Sequence, residues 1–285
     1  MSLVAANREV DGLLRKGTSG RREACRYYQR MTQDLFRKDA YLTECTATVT
    51  AITPQGIVLD RTVFYPLGGG QAGDIGVLVL AGGNEIAIIG TPKGKTEDGS
   101  FNDEICHSPP LDLLSQLLNQ EQTPAVRLAV GDTVTARIDR ARRHRLMRFH
   151  TTTHLLCHLV PQLVNGCSIT TDYARLDFNM TDALDKEALT AGIARLVAAA
   201  HPVSVGVITD AELDANPALV KSMSVQPPRG SGKIRTIRIG TEELIDFQPC
   251  GGTHVANTAE IGQVIVTKIE KKSATTRRVV LGFGT

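Results

Sequence analysis

The sequence predicts an α+β protein: a small N-terminal β-barrel followed by a two-layer α+β domain with a mainly antiparallel sheet. Three observations carry this expectation. Residues 42–90 fall into short alternating segments rich in β-branched residues and punctuated by Gly, Pro and Asn. The stretch from Arg140 to Val160 holds no Gly or Pro and reads as one long helix stopped by Pro161. Strand-like alternation then returns in KIRTIRIG, EELIDFQ, GQVIVTKIEKK and TRRVVLGF, and helices set against such a sheet bury one face each.

Taken in order, residues 1–33 read as an N-terminal extension. Arg15, Lys16, Arg21 and Arg22 flank a GTSG break, while Glu9, Asp11 and Glu23 argue against an organelle presequence. The barrel domain is placed at 34–139. Its strands are LTECTATVTAI, GIVLDRTVFYP, DIGVLVL and NEIAIIG, then a turn-rich, weakly patterned stretch covers 91–108. VRLAVGDTVTARI at 126–138 reads as a closing hairpin around Gly131 and Asp132, and several short strands with little helix suggest a barrel. The second domain is placed at 140–285. After the long helix come strands at 167–171 and 174–179, a helix at 183–200 capped by Thr181 or Asp182, the strand VSVGVIT, helical pieces at 210–222 and the four closing strands.

A chain of 285 residues, 42% hydrophobic and 22% charged, is long enough for two ordinary domains. No apolar run approaches the roughly 20 residues that cross a bilayer, so no membrane partner is expected. The formal charge of +2 says little about nucleic acid, so the distribution of charge must decide. Six cysteines without a CxxC pair fit a reducing compartment, and the expected location is the cytoplasm.

Two short segments fit together as a metal site. In FHTTTHLLCH, a helix puts His150 and His154 on one face. In QPCGGTHV, Gly251 and Gly252 between Cys250 and His254 favour a tight turn that aims thiolate and imidazole at one point. Three nitrogens and a sulfur suit Zn2+ better than a hard cation. A lone histidine would read as an ordinary core residue; two pairs at matched spacing do not. His158 offers a competing pair with His154, and His144 falls on a basic face. Thr151 stands where a zincin would place its glutamate base, which disfavours peptide hydrolysis by that route.

Basic residues gather in two places: Arg142, Arg143 and Arg145 ahead of His150, and Arg229, Lys233 and Arg235 in PPRGSGKIRTIR. Arginine forks match phosphate oxygens, so these are candidates for a nucleic-acid backbone, against the plainer alternative of a solvated helix face. GSGK is no Walker A, since Ile234 occupies the Ser/Thr position, and no ATP is expected. FYPLGGGQAGDIG is no dinucleotide fingerprint either, and by chemistry alone it is a loop between strands.

Together TVFYPLGGGQAGDIG, RFHTTTHLL, RLDF and PCGGTHVANTAEIG resemble the editing region of alanyl-tRNA synthetases and the free-standing AlaX trans-editing proteins, over about residues 34–283. The resemblance implies an aminoacyl-tRNA deacylase, a carboxylic ester hydrolase. It would be zinc-dependent, with His150, His154, Cys250 and His254 as ligands. Its substrate would be mischarged tRNA(Ala), chiefly Ser-tRNA(Ala) with Gly-tRNA(Ala) as a second substrate, bound by its acceptor end. Gly68, Gly69, Gly70 and Gln71 become candidates for sparing correctly charged alanine. The six basic residues become candidate tRNA contacts.

An aminoacyl ester is already activated, and no general base can be picked from the sequence. Ser168, Thr170 and Thr151 are candidate partners for a substrate hydroxyl, since a pocket built to bond a hydroxyl rejects the analogue lacking it. Asp177, in strand-like alternation, reads as structural. Two other classes stay open: a non-catalytic, zinc-stabilised tRNA-binding module, and a hydrolase of small free esters or amides.

Overall fold

The structure, a computed structural model, describes residues 32–119, 127–230 and 232–284. Residues 1–31, on which most of the expected N-terminal extension falls, lie outside the described residues. The strands are β1 (Gln33–Asp34), β2 (Glu44–Thr53), β3 (Gly56–Leu59), β4 (Arg61–Thr62), β5 (Gly76–Val79), β6 (Glu85–Ile88), β7 (Lys93–Lys95), β8 (Phe101–His107) and β9 (Thr133–Ile138), then β10 (Val164–Ile169), β11 (Ala174–Asn179), β12 (Val203–Ile208), β13 (Ile234–Ile239), β14 (Asp246–Pro249), β15 (Val264–Ser273) and β16 (Thr276–Phe283). The α-helices are α1 (Leu111–Leu118), α2 (Arg140–Leu159), α3 (Lys186–Ala198) and α4 (Asp210–Ala215). The fold class is α+β, and every ladder except the short β1–β4 pair is antiparallel.

The expected closed barrel is instead a half-barrel, a seven-stranded sheet in the order β6-β5-β9-β2-β3-β8-β7. Its edges β6 and β7 do not pair. β7 is only three residues, KGK, and its register with β8 shifts between Lys93 and Lys95, so it offers no ladder long enough to close the sheet. A single bridge, Gly90 to Ser108, ties the chain after β6 to the chain after β8. The stretch at 91–108, expected to be turn-rich, supplies β7 and β8, and the expected hairpin at 126–138 yields a turn at Gly131 and the one strand β9. β9 pairs with β2 and β5, and Leu128, on the approach to it, fills the core beneath the sheet.

Two cores result. One lies under the half-barrel and includes Val49, Leu59, Phe64, Leu78, Ile86 and Leu128. The other joins α2 and α3 to the four-stranded sheet β10-β11-β16-β15 and the three-stranded sheet β12-β13-β14. Leu146, Phe149, Leu155, Ile193, Ile237 and Leu281 are all fully buried there, each stabilising by about 1.5–3 kcal/mol relative to exposure. α2 begins at Asp139, whose side chain accepts from Arg142 N at 3.0 Å, and ends before Pro161. α3 is capped by Asp185 instead of Thr181 or Asp182, its carboxylate accepting from Ala188 N at 2.8 Å.

α2 is what positions the site. From Phe149 to Cys157 every residue is buried, so the helix runs through the molecule and not over it. Thr152 and Thr153 tolerate that burial by donating back to the carbonyls of Arg148 and His150, at 2.8 and 2.7 Å.

Candidate metal centre

His150 and His154 project from α2 toward the turn that follows β14, which carries Cys250 and His254. One ligand atom from each of the four lies within 4.8 Å of every other. Each imidazole has a separate partner on its Nδ1. His150 Nδ1 meets Gln71 Oε1 at 2.7 Å, His154 Nδ1 meets Asp246 Oδ2 at 2.6 Å, and His254 Nδ1 meets Thr151 Oγ1 at 3.2 Å. The Nε2 atoms of His150 and His254 then face Cys250 Sγ at 3.5 and 3.3 Å. Bonds of about 2.3 Å to sulfur and about 2.05 Å to nitrogen, at a tetrahedral angle, would set those atoms roughly 3.6 Å apart. The donor set and its spacing fit zinc.

The electrostatics favour ligation at Cys250 and His254, while at His154 metal binding must displace a proton. Burial resists a thiolate at Cys250, but His150 and His254 outweigh it and hold the thiol well below its ordinary range, in the ligating form. Burial, then the neighbouring His150, push His254 down to about 3, so it stands neutral. Burial opposes the charge on His154, yet its bonds to Asp246 and Cys250 raise it to about 9. Asp246 is brought down to about 2, because His154 and Lys221 outweigh its own burial.

His150, His154 and Cys250 floor a cleft of about 360 Å³ whose walls include Tyr65, Gly68, Gly69, Cys167, Lys221 and Arg235. Of the Gly-rich segment, Gly68 and Gly69 line this cleft, while Gln71 is fully buried behind His150. Gln71 also accepts from Thr253 N at 3.1 Å and donates to Thr253 Oγ1 at 2.9 Å, so it clamps both ligand segments together. Gly70 takes φ +84°, and a Cβ there would meet Cys167 Sγ at 2.9 Å. Ser168 and Thr170 do not line the cleft; Thr170 closes a turn with its hydroxyl on Tyr173 O at 3.0 Å. Thr153, which the sequence analysis passed over, does line it.

The basic candidates separate. Arg143 is buried: its Nε donates to both oxygens of Asp74 at 3.1 and 3.0 Å, and its Nη2 to Val63 O at 2.6 Å. Arg142 reaches Gly73 O, and Arg145 donates to Thr171 O while stacking 4.4 Å from the Phe283 ring centroid. Arg229 pairs with Asp214, and Lys233 is exposed near the start of β13. Of the six, only Arg235 lines the cleft, where Arg37 and Lys93 join it.

Residues 234–280 match the family described as the threonyl and alanyl tRNA synthetase second additional domain. A protein named alanyl-tRNA editing protein AlaX-M from Methanosarcina mazei is 32% identical over 259 residues, covering 87% of this chain and 95% of its own. The chain belongs to the AlaX-M family of alanyl-tRNA editing proteins. The AlaX-M protein of Saccharolobus solfataricus is 31% identical over 253 residues, with 87% and 98% of the two chains covered. An alanine–tRNA ligase of Saccharolobus islandicus is 30% identical over 254 residues, which are 84% of this chain and 25% of the ligase. Membership accords with the resemblance carried by the GGGQ, HxxxH and CGGTH segments. No described helix is long and apolar enough to cross a membrane.

Proposed function

We propose that the chain hydrolyses the ester of mischarged tRNA(Ala) as a free-standing editing factor, with Ser-tRNA(Ala) as chief substrate and Gly-tRNA(Ala) as a second. The observation that carries this reading is the convergence of three imidazoles and a thiolate, of which His150, His154 and Cys250 face one cleft, in a member of the AlaX-M family. His150, His154, Cys250 and His254 would hold zinc. Zinc there would supply positive charge that polarises a carbonyl and steadies charge developing on its oxygen.

The chain's own groups do the rest. Gln71, Asp246 and Thr151 fix the three rings, so the donors need little reorganisation. Gly68 and Gly69, without side chains, leave the cleft wall open to an aminoacyl group. Thr153 is a hydroxyl beside the metal ligands; its proton is committed to His150 O, which leaves its oxygen as an acceptor for a serine hydroxyl. Arg37, Lys93 and Arg235 give the wall positive charge suited to the phosphates of an acceptor end. We place the division between a half-barrel domain and the deacylase domain near Asp139, where β9 gives way to α2.

Deacylation assays with the three charged tRNAs test this reading. Loss of serine and glycine with alanine spared is expected. Zinc-loaded protein that binds tRNA(Ala) without hydrolysing any of them would instead make the chain a binding module.

A further inference from the structure

We propose that Asp246 is the positioning residue that holds His154 in its ligating tautomer, an inference that rests on the four donors forming the metal site. Asp246 is 2% exposed and begins the same short strand that leads into Cys250. One element therefore delivers a donor and the support of a second donor on another element. The two carboxylate oxygens have divided tasks. Oδ2 accepts from His154 Nδ1 at 2.6 Å and from Gln248 Nε2 at 2.9 Å, while Oδ1 accepts from Lys221 Nζ.

A carboxylate this deeply buried is costly without partners, and here every direction is filled by a donor. The backbone of Lys221 is held in place, its carbonyl accepting from Val164 N at 2.8 Å. With Nδ1–H given to Asp246, Nε2 is the nitrogen that gives up its proton on ligation and offers its lone pair toward the other ligands. Of the three histidines, His154 alone has an ionised partner on its Nδ1. His150 has an amide and His254 a hydroxyl at 3.2 Å, so His154 is the best-supported nitrogen of the set.

Asp246→Asn separates this role from packing, because it keeps the shape. If its amide nitrogen faces Lys221, like meets like. If it faces His154, the amide donates to Nδ1 and forces the proton onto Nε2, the wrong tautomer for binding.

The test is zinc affinity of the full chain by competition with a chelator, together with far-UV circular dichroism of the metal-free proteins. Asp246→Asn should bind zinc about 10–100-fold more weakly than wild type with an unchanged metal-free spectrum. Affinity within twofold of wild type would overturn the proposal. A wild-type chain that binds no zinc would overturn the metal site itself. Should the variant fail to fold, long-range 1H–15N spectra of zinc-loaded wild type decide. A slowly exchanging proton on His154 Nδ1 is expected, and ligation through Nδ1 would refute the assignment.

Discussion

Gly252 has no room for even a methyl group. A Cβ there would lie 2.0 Å from Cε1 and 2.3 Å from Nδ1 of His150, inside any allowed contact. Gly252→Ala should swing His150 off the donor set, and the purified variant should carry far less zinc than wild type at an unchanged far-UV spectrum. Equal zinc contents, measured by elemental analysis, would contradict this account. His107 makes a residue-scale prediction away from the metal. It is fully buried, with Nδ1 on Ile57 O at 2.9 Å and Nε2 on Thr62 Oγ1 at 2.7 Å. Burial, partly offset by the Ile57 carbonyl, pushes its pKa down to about 4, against about 6.5 unfolded. Between those values the unfolded chain binds a proton that the folded chain refuses. Stability is therefore full above about pH 6.5 and falls as pH drops toward 4, by roughly 2 kcal/mol at pH 5. Urea titrations should show that slope, and His107→Gln should flatten it; an unchanged slope in the variant would refute the assignment. The four donors were legible in the sequence because metal chemistry restricts them to a few residue types at short spacing. Gln71 and Asp246 were not legible as partners of His150 and His154, because amides and carboxylates have many uses and these come from distant segments.

At the scale of elements, the Gly-rich loop is joined to α2 by the Asp74–Arg143 pair, which the sequence suggested only as a basic cluster. Asp74 accepts from Tyr65 N at 2.6 Å as well as from Arg143, and Arg143 Nη1 reaches Ala40 O at 2.9 Å. Removing the guanidinium strands a buried carboxylate, so Arg143→Ala should cost about 3–5 kcal/mol in urea unfolding. Arg145→Ala, at a more exposed position, should cost far less, and equal losses would contradict the structure. Long elements with clean periodicity were legible: α2 was found because nothing interrupts it between Asp139 and Pro161. α1 was missed although Leu114 and Leu117 carry its buried face; at eight residues after two prolines it falls in the gap between the stretches read at 91–108 and 126–138. β7 and β8 were missed because the one buried residue of β7 is Gly94 and the first half of β8, Phe101 to Glu104, buries no apolar side chain, so the sequence shows no apolar alternation there.

Across the whole molecule, the half-barrel and the α+β layer meet at the His/Cys cluster, and the cleft takes a wall from each. Gly68, Gly69 and Lys93 come from one side, Lys221, Arg235 and Cys250 from the other. Barrel closure could not be judged from sequence, since it depends on whether edge strands reach each other, and three residues of β7 do not. If Arg37, Lys93 and Arg235 meet phosphates, then Lys93→Ala should weaken tRNA binding and lower its salt dependence by about one counter-ion. An unchanged salt slope would remove Lys93 from the contact. The most direct measurement is deacylation of Ser-tRNA(Ala) and Ala-tRNA(Ala) by zinc-loaded wild type beside a His150→Ala, His154→Ala variant. The proposed function predicts rapid loss of serine, sparing of alanine and collapse of activity in the variant. Equal serine release by the variant would contradict a metal-centred editing site.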